Sequence, residues 1–126
     1  MVKEEPKIES GKNLLEVLDK GSIKIFSFFW FFLAESGSWR LIISSPDFEK
    51  FDIRKCYQDF IKDYGNNEAI KDIGISNITL LPNSNDLIKL FKIAIKTDER
   101  SISGIRFTSN VINGILIEDA YIYRLS

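Results

Sequence analysis

The sequence predicts an α/β domain of the α+β kind, with one mixed, largely antiparallel sheet of about five strands flanked by helices. The element order is α-β-β-α-β-α-β-β. Three observations carry this. Two apolar runs, 23–34 and 39–45, flank the turn-forming "ESGS" at 35–38, which is the pattern of a hairpin. Asn113-Gly114 lies between "GIRFTSNVI" and "ILIEDAYIYRL", and that dipeptide favours the type I′ turn joining twisted strands. Between these hairpins, helical spacing alternates with the short apolar strand "NITLLP" at 77–82, so the middle of the chain needs crossovers and a mixed sheet.

Taken in order, residues 1–9, "MVKEEPKIE", are charged, carry a proline and read as a flexible tail, leaving 10–126 as a single domain. "SGKNLLEVLDKG" places Leu14, Leu15, Val17 and Leu18 on one side of a short helix that Gly21 ends. Six aromatics then fall within 25–34. That run is too short for a membrane helix, which needs roughly 20 apolar residues. The five acids among the first 24 residues argue against a signal peptide.

As a strand, the run points Ile23, Ile25, Phe29, Phe31 and Leu33 to one face and Phe26, Phe28, Trp30 and Phe32 to the other. Neither face is polar, so each must be covered by helices or by another chain. A loop over 35–38 sets Trp30 across from Ile43 and Phe32 across from Leu41. After Pro46, Ile53, Cys56 or Tyr57, Phe60, Ile61 and Tyr64 recur at helical spacing, with Asp52 as N-cap and Gly65 as the stop. "NSNDLIKLFKIAIKT" opens on capping residues and continues as a mostly buried helix.

The chain has 126 residues, 44% of them hydrophobic, enough for one core. Its 17 basic and 18 acidic residues nearly cancel, without the clustered basic excess that nucleic-acid binding calls for. There is no histidine, which removes the commonest general base and zinc ligand and every Ser–His or Cys–His nucleophile pair. The lone Cys56 permits no internal disulfide, which fits a cytoplasmic protein, and it reads as a buried structural thiol. The glycine spacing of a phosphate loop is missing, and neither a cofactor nor a metal is expected.

Two surfaces are candidates for function. The first is the aromatic hairpin, whose Phe26, Phe28, Trp30, Phe32 and Trp39 form an interface of the kind that dominates binding energies. On this reading the chain is a small non-catalytic interaction or self-assembly module, joined to itself as a homodimer or to another protein. The second rests on the register set by Asn113-Gly114, which puts Thr108 opposite Asp119 and Arg106 opposite Tyr121 on one face. Those four would bind a small polar ligand, as a sensor or an enzyme. Glu118 and Asp119 are adjacent on a strand and face opposite sides, so they do not make a catalytic pair. Lys89, Lys92 and Lys96, with Arg100 beyond, form a stripe that could meet nucleic-acid phosphates. The packing residues Leu87, Leu90, Phe91, Ile93 and Ala94 mark it instead as the wet side of a helix. No membrane partner is expected.

The segments "WRLIISSP", "NITLLPNSNDLIKLFKIAI" and "ISGIRFTSNVINGILIEDAYIYRL" resemble an uncharacterised family of short bacterial proteins. The resemblance implies a prokaryotic origin and carries over no activity.

Overall fold

The computed structural model describes residues 4–49, 52–98 and 100–126. A five-stranded sheet in the order β3-β2-β1-β5-β4 forms its centre. The strands are β1 (Ser27–Leu33), β2 (Ser38–Ser45), β3 (Ile78–Pro82), β4 (Ile105–Ile112) and β5 (Ile115–Leu125). Only β2 and β3 run parallel; the other three pairings are antiparallel. Helices α1 (Ile8–Asp19), α2 (Ile53–Tyr64) and α3 (Glu68–Ile73) cover one face, and α4 (Asp86–Ala94) covers part of the other. The expected fold class is therefore the observed one.

Local chemistry accounts for most element ends. Asp52, Asn67 and Asn85 each accept a bond from the backbone N–H two residues on, satisfying one of the orphan donors that open α2, α3 and α4. The final hairpin turns on Asn113 (φ 52°) and Gly114 (φ 81°), the two positive-φ residues of a type I′ turn. Its register pairs Arg106 with Tyr121 and Thr108 with Asp119, as the sequence requires.

Four details depart from expectation. The first hairpin pairs Trp30 with Leu41 and Phe32 with Trp39, a slip of two residues from the expected register. An even slip keeps every side chain on its own face, so the two-faced apolar pattern survives. The first helix starts at Ile8 rather than after a tail. Within the described part of the tail, Pro6 is buried and the Glu4 carbonyl accepts a bond from Trp39 Nε1 at 2.6 Å; residues 1–3 lie outside the described residues. The fourth helix stops at Ala94, which leaves Lys96 beyond its end and breaks the lysine stripe. Finally, Ile53, Ile61 and Ile93, expected to pack, are exposed.

A β-bulge organises the last strand. Phe28 pairs with Arg124 but Phe29 pairs with Ile122, so Tyr123 is an extra residue on β5. Tyr123 and Arg124 can then turn toward the same helical layer: Tyr123 packs in the core beneath α1, and Arg124 reaches Asp19 at the end of α1. Leu125 returns to the α4 side.

Candidate functional site

The aromatic hairpin is core. Phe28 is fully buried, Trp30 is 3% exposed, and Phe32 and Trp39 are 8% exposed, all packed with Leu14, Leu15 and Leu18 of α1 and Ile70 and Ile73 of α3. Trp30 Nε1 donates to Tyr123 Oη at 3.1 Å, and Tyr123 Oη donates to the Ile8 carbonyl at 2.7 Å, which locks the helix over the sheet. Phe26 is half-buried, with the Lys24 ammonium 5.7 Å from its ring centre. This corrects the expectation that Phe28, Trp30, Phe32 and Trp39 lie open to a partner, while Phe26 stays half-buried. The chain's own helices suffice to cover that face, and they include α3, which the sequence pattern does not announce. The opposite face of β1 is also internal, with Phe29 and Phe31 against Phe91 of α4.

The polar constellation forms, but as a closed network. Arg106 grips Asp119 through Nε–Oδ1 and Nη2–Oδ2, both at 2.7 Å. Its Nη1 bonds Glu5 at 2.9 Å, and its guanidinium carbon lies 5.6 Å from the Trp39 ring centre. These carboxylates, Asp119 foremost, raise the guanidinium's affinity for its proton despite partial burial. Asp119 is 1% exposed, so its charge is compensated where it sits. Tyr121 lies half-buried against Tyr123 with ring centres 5.2 Å apart, and Thr108 is exposed on the outer strand. Arg106 and Asp119 thus come together and Arg106 pins Glu5 to the hairpin, while Tyr121 packs on Tyr123 and Thr108 stays at the rim.

Little else favours catalysis. Burial pushes the Cys56 thiol above its ordinary pKa, and Asp59 and Asp52 push the same way, which keeps it protonated and a poor nucleophile. Among the described residues, no three His, Cys, Asp or Glu side chains converge as metal ligands. Nor is any described helix long and apolar enough to cross a membrane.

The exposed apolar surface lies elsewhere. Ile93 on α4 is 66% exposed, and Val111, Ile115 and Leu116 at the hairpin tip are 65%, 53% and 64% exposed. Ile93, Ile115 and Leu116 line a groove of about 520 Å³ with Leu87 and Leu90, between α4 and the tip. Asp86 and Lys89 stand on its α4 side. The groove opens because α4 has only nine residues and because β5 outruns β1: the β1–β5 pairing ends at Phe31–Ala120, whereas β4 and β5 stay paired to Ile112–Ile115. The sequence held a signal for it, "NVINGILI", with Val111 and Ile112 before the turn and Ile115 to Ile117 after it, an apolar run at a position where turns are usually polar.

Fold and surface together define a small α+β domain with a packed interior, a satisfied polar network and one apolar end. Comparison with protein-family models, with curated proteins and with solved structures finds no match for this chain.

Proposed function

We propose that the chain is a non-catalytic, cytoplasmic self-assembly module, and that a second copy covers the groove between α4 and the β4–β5 tip. The observation carrying this is the concentration of Ile93, Val111, Ile115 and Leu116 at one end, each more than half exposed. Together they present on the order of 400 Å² of apolar surface, in the range where a patch on a monomer is often functional.

Three features favour a second copy as the occupant. Asp86 and Lys89 lie three residues apart on α4 beside the groove, so a two-fold axis that sets two α4 helices antiparallel brings each acid opposite the other copy's lysine. The formal charge of −1 gives two copies little mutual repulsion. Strand addition is a poor alternative, because both sheet edges are blunted. The β3 edge is five residues long and ends in Pro82, and β4 carries a positive φ (47°) at Ser109.

Sedimentation equilibrium tests the reading. The wild type should be a dimer at tens of micromolar, and Ile93→Asp combined with Leu116→Asp should give a folded monomer with an unchanged circular-dichroism spectrum. A wild type that stays monomeric at several hundred micromolar, or a variant that still dimerises, would overturn it.

A further inference from the structure

We infer that the cleft lined by the 21–26 segment, Arg100 and Arg124 binds a small phosphorylated anion. The cleft holds about 580 Å³ and is lined by Lys24, Arg100, Arg124 and Asp19, with Ile23 and Phe26 among its apolar wall. It lies at the other end of α1 from the Arg106 network and uses none of the apolar groove's residues.

Its floor is rigid. Arg124 is buried and holds Asp19 through Nη1 at 2.8 Å and Nη2 at 2.9 Å, while its Nε donates to the Ser101 carbonyl at 2.9 Å. A longer contact, 3.4 Å, joins Nη1 to the Ile25 carbonyl. A guanidinium has five N–H donors, so one hydrogen on Nη2 is left without a partner among the described residues. Thr97 and Ser103, on either side of Arg100 in the sequence, are pinned as well. Thr97 N–H donates to the Leu125 carbonyl and Ser103 N–H to the Tyr123 carbonyl, both at 2.7 Å. Between them, Asp98 Oδ1 accepts from the Arg100 N–H at 3.0 Å.

Arg100 lines the cleft, and its guanidinium has no acidic partner among the described residues. The Lys24 ammonium likewise has only the Phe26 ring among them. Among the described residues, three cations and one carboxylate line the cleft, 3 − 1 = +2, in a chain whose overall formal charge is −1. Asp19 is paired with Arg124, which offsets its charge. A local charge of +2 matches a phosphate monoester or pyrophosphate, which carries close to two negative charges or more near neutral pH, better than a single carboxylate. Arg100 supplies the planar fork and Lys24 the point charge.

Isothermal titration of the full chain with pyrophosphate tests this, with inorganic phosphate as a second probe and sodium chloride at matched ionic strength as control. We expect saturable binding of pyrophosphate, weakened about tenfold or more by Arg100→Ala and by Lys24→Ala, and weakened by added salt. Among the described residues neither side chain holds another charged group in place, so both variants should melt as the wild type does. No saturable heat up to about 10 mM pyrophosphate, or binding indifferent to both substitutions, would overturn the assignment.

Discussion

Arg124 and Asp19, 105 residues apart in the chain, meet through two parallel bonds of 2.8 and 2.9 Å and tie the last strand to the end of the first helix. The arginine side chain is 2% exposed and the aspartate 34%. Removing the acid leaves the cation buried without compensation, which typically costs about 3–5 kcal/mol. Screening at the half-wet aspartate brings the figure to the lower end. Asp19→Ala should therefore destabilise the fold by roughly 3 kcal/mol in urea titration. A loss within about 0.5 kcal/mol would mean that the pair behaves like an exposed one.

Gly11 of α1 faces Tyr123 and Trp30 so closely that an added Cβ would lie 2.3 Å from Tyr123 Oη and 2.9 Å from Trp30 Nε1. Helix propensity alone says that alanine should gain up to about 1 kcal/mol here. Overpacking costs about 1–3 kcal/mol, and the crowded atoms belong to rings held by the bonds to Ile8 and between themselves. Gly11→Ala should come out destabilising, by about 1–2 kcal/mol in chemical denaturation. A stabilised variant would show that α1 can lift off the sheet at little cost.

At Gly114 the reasoning is reversed, because an added Cβ would meet nothing within 4 Å and only the φ of 81° resists substitution. Gly114→Val should cost about 1–3 kcal/mol from backbone strain alone. An unchanged melting curve would rule out the type I′ geometry.

Tyr123 sets an alkaline limit. Burial raises its phenol well above the ordinary value of 10.0, outweighing the Trp30 bond, which acts in the other direction. A group whose folded pKa is raised contributes stability that is whole below the unfolded pKa and is lost as pH climbs toward the folded one. Stability should accordingly decline above about pH 10, with at most about 1.4 kcal/mol per pH unit from this group. Tyr123→Phe should be less stable at neutral pH, having lost the bond to Ile8, and should show a shallower alkaline decline. An equal slope in both proteins would assign the effect to other groups.

The fold was legible because local signals agreed with one another: Asp52 caps, Asn113-Gly114 turns, and strand and helix periods alternate in a consistent order. The site was not, for reasons specific to a few residues. Alternation along "AYIYRL" puts Tyr123 and Arg124 on opposite faces, and only the bulge opposite Phe28 brings them to the same helical layer. The six-residue α3 is too short to show a helical period, so the sequence understates the cover over Trp30 and Trp39. Ile93 fits an amphipathic pattern, and its exposure depends on where α4 ends relative to a hairpin far away in sequence.

The overhang of β5 past β1 also divides the sheet into parts of unequal permanence. Beyond Phe31–Ala120, residues 115–119 of β5 keep β4 as their only strand partner among the described residues. Amide protons there should exchange with solvent through small local openings, long before those of Phe29 or Ile42 at the sheet's centre. If a second copy seats on that end, association and local closure become a single linked event. Protection at Val111 and Leu116 should then rise with protein concentration while protection at the centre stays fixed, so the tip would be ordered by its partner rather than by its own sheet.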